Sequence, residues 1–134
     1  MFGIPRRAAT FDVVFDDARL NEDLEHASAA GRSVGHAARR RLVRDGIAAS
    51  ALRPCEPEAR DGTRLPGSVK TYLPPGSDLR TPEHLPGAWG MVFAVRADAA
   101  GRPYLEYLAF GERHPERQSR FTVYQVADRR LRAL

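Results

Sequence analysis

The sequence predicts an α+β fold, with helices packed on one face of a small, mostly antiparallel sheet. Two observations lead to this prediction. Apolar residues alternate at a period of two over residues 10–15, 68–73 and 89–110, which is typical of strands. Over residues 17–46 they recur instead at intervals of three and four, which is typical of helices. The predicted order is a strand, a helical hairpin, three strands and a short C-terminal helix.

The first strand covers residues 10–15, and it leads directly into the first helix. Three apolar side chains share one face of this strand: Phe11, Val13 and Phe15. Asp16 or Asp17 can then act as the N-cap of a helix that continues to about Ala29. Gly31 is expected to end this helix, because glycine is a poor helix former.

The second helix is expected to begin at Ser33 and to end near Gly46 or Ser50. Its apolar stripe consists of Val34, Ala38, Leu42 and Val43. The two helices differ in charge, since residues 10–28 hold six acids and one arginine, whereas residues 31–44 hold five arginines and no acid. An acidic helix beside a basic one favours an antiparallel hairpin.

The second half of the chain is expected to supply the sheet. Residues 51–88 form a proline-rich, irregular insertion within a single domain spanning residues 1–134, and within it residues 68–73 alternate as a strand. Strands over residues 89–96 and 104–110 flank a turn at residues 98–102, which predicts an antiparallel hairpin. A short helix follows from Val123.

The composition indicates an intracellular protein with an arginine-rich surface. Cys55 is the single cysteine, which excludes an internal disulfide and favours a reducing compartment, so a cytoplasmic location is expected. No leader peptide is recognisable, and no stretch approaches the roughly 20 apolar residues of a membrane span. The net charge is +4, and Lys70 is the only lysine among 21 basic residues. Codon bias explains an excess of arginine, but clustered guanidinium groups also suit phosphate.

The known cofactor motifs are absent from the sequence. The four histidines lack metal-ligand spacing, and there is no phosphate-binding glycine loop, nucleophile elbow or dinucleotide fingerprint. The sequence therefore predicts neither a metal nor a cofactor. Cys55 lacks an evident catalytic partner, so it is expected to be an ordinary thiol.

Residues 110–124 hold the densest set of chemically useful side chains, and they directly follow a predicted strand. Metal-free RNA cleavage needs a base for the 2′-hydroxyl, cations for the phosphate and an acid for the leaving 5′-oxygen. His114 or Glu112 suits the base, Arg113 suits the phosphate, and His114 or Tyr124 suits the acid. The structural alternative is a solvated loop carrying Glu–Arg ion pairs.

The order of elements and these residues together resemble the RelE/ParE toxin superfamily. The resemblance rests on the alternating strand and acidic helix near residues 11–18, the lysine-bearing strand at Lys70, and a Gly-x-Arg element at Gly111 followed by Val123–Tyr124. The chain departs from the family in its length, in residues 51–88, and in the insertion between His114 and Tyr124.

The resemblance implies a role for each candidate residue. Arg113 would bind the scissile phosphate, His114 or Glu112 would act as base or acid, and Tyr124 would stack on a base or protonate the leaving group. The residues expected to add positive charge for nucleic acid are Lys70, Arg96, Arg117, Arg120, Arg129 and Arg130.

Three functions remain open from the sequence. The first is a toxin of a toxin–antitoxin pair that cleaves mRNA at the ribosome without a metal, and that binds a small acidic antitoxin over its basic face between the helical hairpin and the sheet. The second is a gyrase-poisoning toxin of the same fold. The third is a non-catalytic nucleic-acid-binding or protein-binding module. Convergence of Arg113, His114 and Tyr124 would favour cleavage, whereas a scattered arginine surface with no concave site would favour the third. The oligomeric state is not predicted.

Overall fold

The computed structural model describes residues 9–58, 62–74, 89–113 and 122–133. These residues form three α-helices: α1 (Asp17–Glu25), α2 (Ala29–Asp45) and α3 (Val123–Arg132). They also form seven strands: β1 (Thr10–Phe11), β2 (Val13–Val14), β3 (Ile47–Ala48), β4 (Arg53–Pro54), β5 (Ser68–Leu73), β6 (Trp89–Ala97) and β7 (Pro103–Glu112). The predicted α+β class is confirmed. Among these elements, no helix has the length and apolar character that crossing a membrane requires.

The main sheet has five strands in the order β2-β7-β6-β5-β4, and β1 and β3 form a separate two-stranded pair. Only β2 runs parallel to its neighbour, with Val13 opposite Leu105, so the sheet is mostly antiparallel as predicted. The predicted strand over residues 68–73 and the hairpin of β6 and β7 are confirmed. The proline-rich stretch also contributes β4, which the sequence did not predict.

Two hydrophobic cores cover the two faces of the sheet. The first core joins Met91, Phe93 and Tyr107 to α1 and α2, and the second joins Val92 and Leu108 to α3. Consecutive strand residues point to opposite faces, so these cores lie on opposite sides of β6 and β7. The expectation that all helices share one face is therefore wrong. The short C-terminal helix covers the face that the helical hairpin leaves open.

The predicted N-terminal strand is divided into β1 and β2. β1 pairs with β3, whereas β2 pairs with β7, and the carbonyl of Asp12 between them accepts a hydrogen bond from the backbone N–H of Leu105 at 2.9 Å. The three side chains predicted to share one face do so, because all of them pack against the first core: Phe11, Val13 and Phe15.

The boundary between the two helices differs from the prediction. α1 begins after Asp16, whose carboxylate accepts a hydrogen bond from the Arg19 N–H, but it ends at Glu25. α2 begins after Ser28, whose hydroxyl accepts a hydrogen bond from the Gly31 N–H at 3.1 Å. Gly31 therefore lies in the first turn of α2 and does not end a helix. A Cβ atom at this position would clash with the indole ring of Trp89, so only glycine allows this approach.

The far end of α2 follows the prediction, with one exception. Gly46 ends the helix at a φ of 68°, in the left-handed region that favours glycine. Val43 was expected in the apolar stripe, but its side chain is 55% exposed. The predicted pairing of the acidic and basic helices is present as a bidentate ion pair between Arg39 and Asp17.

A buried ion pair joins α1, β7 and α3. Arg130 donates to both carboxylate oxygens of Asp23 at 2.8 Å and to the Leu108 carbonyl at 2.6 Å. Asp23 also accepts from the Tyr107 hydroxyl and from the Phe110 N–H. β2 pairs only with the first part of β7, at residues 105 and 106, so this network satisfies the edge of β7 beyond it. It also fixes where α3 lies.

Replacing Asp23 with Asn is expected to lower the free energy of unfolding by about 3–5 kcal/mol, because breaking the buried pair leaves Arg130 with only the exposed Glu22 carboxylate, 3.8 Å away. Asp17→Asn removes an exposed ion pair and should cost less than about 1 kcal/mol. Urea unfolding of both variants tests this. Equal losses would contradict a special role for Asp23.

Gly31→Ala is expected to destabilise the protein, although Gly-to-Ala in an exposed helix normally stabilises by about 1 kcal/mol. The reason is the clash with the rigid indole of Trp89. Ser33→Ala, at an exposed position of the same helix, is the matched control. A higher melting temperature for Gly31→Ala than for the wild type would show that Trp89 does not pack there.

Candidate functional site

The candidate site lies on the face of the sheet that α3 covers. Thr122 caps α3 through a reciprocal pair of hydrogen bonds with Gln125, and this cap fixes the first turn of the helix. Tyr124 in that turn packs into the second core and is only 9% exposed. Its hydroxyl is directed towards the end of β7, where Arg113 follows the last strand residue.

Arg113 lies between two tyrosines. Its Nε donates a hydrogen bond to the Tyr124 hydroxyl at 2.9 Å, and its guanidinium carbon lies 4.1 Å from the centroid of the Tyr72 ring. Its aliphatic stem crosses the backbone of Gly90, where an added Cβ would come within 3.1 Å of the Arg113 Cγ. Gly90 is the strand partner of Tyr72, so a side chain at Gly90 would displace Arg113 from both tyrosines.

Two further cations reach the same aromatic pair. The Lys70 ammonium lies 4.9 Å from the ring centroid of Tyr124 and 5.7 Å from that of Tyr72. Arg53 lies directly opposite Lys70 in the pairing of β4 with β5, and its guanidinium carbon is 5.1 Å from the Tyr72 ring. Cation–π contacts of this kind contribute about 0.5–2 kcal/mol each. We call this set of five residues the cation–tyrosine cluster: Arg53, Lys70, Tyr72, Arg113 and Tyr124.

The charge of this cluster favours an anion. Within the described ranges, neither Lys70 nor Arg53 has a carboxylate at ion-pair distance. Like charges directly opposite each other on neighbouring strands are destabilising. A phosphate placed among these cations would relieve that repulsion, and guanidinium groups bind phosphate oxygens in bidentate fashion.

Burial keeps the acidic groups of this region protonated. It raises the pKa of Tyr124 to about 12, although the hydrogen bond and charge of Arg113 act to lower it. It also raises the pKa of the Cys55 thiol to about 11, against the lowering effect of Lys70. At neutral pH Tyr124 is therefore a proton donor, and Cys55 is a thiol with little nucleophilic character.

Two of the predicted site residues lie away from the cluster. Glu112 lines a groove of about 830 Å³ between α1 and α3, together with Trp89 and Phe110. Arg96 forms an ion pair with Glu106 across β6 and β7 at 3.2 Å. Arg96 is six residues along β6 from Gly90, which corresponds to about 20 Å of strand. The structure therefore brings neither side chain to Arg113.

The remaining predicted cations fall into two groups. Arg129 is exposed and lines the same groove as Glu112, whereas Arg130 is held by Asp23, so its contacts indicate a structural role in place of the predicted phosphate contact. Three of the predicted residues lie outside the described part of the chain: His114, Arg117 and Arg120. The prediction of their roles stays open.

Sequence reasoning missed three members of this region. Tyr72 was expected to be an ordinary sheet residue, and it is buried, with 4% of its surface exposed. The Arg113 guanidinium also packs against its ring. The signal was available, because Lys70 and Tyr72 are two residues apart and so share one face of a strand. Arg53 and Gly90 gave no such signal. Their positions depend on strand pairing between distant segments.

Comparison of the chain with family models, curated proteins and solved structures returned no match. In the part of the chain that the structure describes, no group of three or more histidine, cysteine, aspartate or glutamate side chains is arranged to hold a metal ion. The cation–tyrosine cluster is therefore the feature of this chain that bears most directly on its function.

The raised pKa of Tyr124 predicts a loss of stability in alkali. An unfolded tyrosine ionises near pH 10, whereas the folded one keeps its proton up to about pH 12. The unfolded state then binds fewer protons, so the free energy of unfolding falls as the pH rises from about 10 to 12, by up to about 3 kcal/mol. Urea unfolding at pH 8 and pH 11 should show a smaller alkaline loss in Tyr124→Phe. Equal losses in both proteins would mean that Tyr124 is not buried as described.

Proposed function

We propose that this protein is a toxin of the RelE/ParE type that cleaves RNA without a metal ion. The observation that supports this most strongly is the convergence of Arg113, Lys70 and Tyr124, which come from three separate elements. The family resemblance assigned the phosphate contact to Arg113, added positive charge to Lys70, and either base stacking or proton donation to Tyr124. His114, the third residue of the predicted convergence, lies outside the described residues, so its place beside Arg113 and Tyr124 stays a prediction.

In the proposed reaction the 2′-oxygen of the substrate attacks the adjacent phosphorus. A bond forms between the 2′-oxygen and phosphorus, the bond from phosphorus to the 5′-oxygen breaks, and a 2′,3′-cyclic phosphate remains. Negative charge grows on the phosphate oxygens during this step. Arg113 and Lys70 are already in place to stabilise that charge, so little reorganisation is needed.

Tyr124 is the proposed acid. Its phenol is protonated at neutral pH, and the leaving 5′-alkoxide is more basic than a phenolate, so the proton moves to the leaving oxygen. His114 is the proposed base for the 2′-hydroxyl, because it directly follows Arg113 in the sequence. Glu112 is the weaker candidate for the base, since it lines the separate groove between α1 and α3.

The proposed biological setting also follows from the resemblance. What supports it is the order of a strand segment, helical hairpin, lysine-bearing strand, β-hairpin and terminal helix, to which this chain adds the short strands β3 and β4. The antitoxin would be a small acidic chain that covers basic surface. Four arginines of α2 are exposed to solvent and are the proposed contacts for the acidic antitoxin: Arg32, Arg40, Arg41 and Arg44.

Induced expression of the wild type in a bacterial host is expected to arrest growth, and Arg113→Gln is expected to relieve the arrest. Removing a preorganised charge contact normally lowers a rate by about 100-fold to 1,000-fold. Purified wild type should cleave RNA in the presence of a chelator. The new RNA 5′ ends that this cleavage creates should be absent when Arg113→Gln replaces the wild type.

Arg102→Gln is the matched control, because Arg102 is an exposed arginine at the turn between β6 and β7, away from the cluster. Soluble protein must be equal in all strains. Arrest without RNA cleavage, accompanied by DNA breaks, would replace this proposal with gyrase poisoning. Harmless wild-type protein at high soluble levels would favour a non-catalytic binding module.

A further inference from the structure

Arg53 is a cation that the proposed reaction does not use, although it lies beside the residues that carry that reaction. It is on β4, at the edge of the main sheet, and its side chain is exposed. We infer that Arg53 forms a second phosphate subsite next to Arg113, so that the site binds an oligonucleotide through two consecutive phosphodiesters. This inference rests on the proposed function and specifies the substrate that the site selects.

The geometry places the two guanidinium groups at neighbouring positions. The guanidinium carbons of Arg53 and Arg113 lie 5.1 Å and 4.1 Å from the centroid of the same Tyr72 ring. These distances limit the separation of the two carbons to about 9 Å, so both guanidinium groups can contact one bound strand. The Tyr72 ring therefore serves as a shared support for both cations.

Arg53 is held in this position by the backbone. β4 pairs with β5, so Arg53 is opposite Lys70, and the next segment is fixed by a hydrogen bond from the Cys55 N–H to the Ser68 carbonyl at 3.0 Å. In the described part of the chain, Arg53 makes no ion pair with a carboxylate. An exposed arginine that is positioned against a ring and opposite a lysine is ready to receive an anion.

The two arginines differ in what they can do to a bound strand. Arg113 is hydrogen-bonded to the proposed acid Tyr124, so the phosphate at Arg113 is the one that reacts. Among the described residues, no hydrogen bond joins Arg53 to Tyr124, and Arg53 lies at the sheet edge where a strand can continue past the reacting group. Its role is to position the substrate. A dinucleotide with one phosphodiester would occupy the Arg113 subsite alone.

The test compares two oligonucleotides that cannot react because the attacking oxygen is methylated. One is a dinucleotide with a single phosphodiester, and the other is a trinucleotide with two; neither has terminal phosphates. Dissociation constants are measured by NMR titration against the salt concentration for wild type, Arg53→Gln, Arg113→Gln and the control Arg102→Gln. Melting curves confirm that each variant is folded.

We expect wild type and Arg102→Gln to bind the trinucleotide more tightly than the dinucleotide. Arg53→Gln should weaken the binding of the trinucleotide more than that of the dinucleotide, so the difference between them should shrink. For the trinucleotide, the slope of log K against log salt should fall by about 0.7 in Arg53→Gln, as the loss of one single-strand phosphate contact requires. Arg113→Gln should weaken the binding of both oligonucleotides.

Two results would overturn the inference in distinguishable ways. If Arg113→Gln weakens both oligonucleotides, but Arg53→Gln weakens neither or weakens both equally, the second subsite is absent and the proposed function stands. If the wild type binds neither oligonucleotide, or Arg113→Gln changes nothing, the proposed function and the subsite both fail.

Discussion

The ion pair between Asp23 and Arg130 is the contact on which the rest of the arrangement depends. It joins α1 on one side of the sheet to α3 on the other and satisfies the part of the β7 edge that β2 leaves uncovered. Burying a carboxylate and a guanidinium is costly unless both are fully hydrogen-bonded, and here Tyr107 and the Phe110 N–H complete the set of donors to Asp23. Because α3 carries Tyr124, the position of the candidate acid follows from a contact on the opposite end of the same helix.

The two faces of the main sheet are covered by different kinds of side chain. The face beneath α1 and α2 is filled by large apolar side chains and is a conventional core. The other face is filled only in part by α3, and the remaining area carries the cation–tyrosine cluster. Arg53, Lys70 and Arg113 all contact the Tyr72 ring, and their like charges repel one another. Within the described residues, neither Arg53 nor Lys70 has a carboxylate at ion-pair distance. Such local cost is typical of sites that bind a ligand of opposite charge.

Patterns among neighbouring residues predicted the helices and strands. The positions of the candidate site residues depend instead on contacts between segments that are far apart in the sequence. The strand at residues 68–73 and the β-hairpin were predictable because alternation is a property of neighbouring residues. Gly31 was misjudged because the sequence cannot show that Trp89, 58 positions later, packs against it. Arg113, Lys70 and Tyr124 were linked only by the family resemblance, since no spacing along the chain shows that β5, the end of β7 and α3 meet. Arg53 lies next to a proline in a stretch rich in prolines, so nothing local marked it as a strand residue.

The most direct measurement is a crystal structure of the protein with a short RNA whose attacking 2′-hydroxyl is methylated. We expect a phosphodiester among the cations of the cluster, with its oxygens bonded to Arg113 and Lys70 and the Tyr124 hydroxyl directed at the leaving 5′-oxygen. RNA bound instead in the groove between α1 and α3, or along the exposed arginines of α2, with the bond between Arg113 and Tyr124 unchanged, would contradict it.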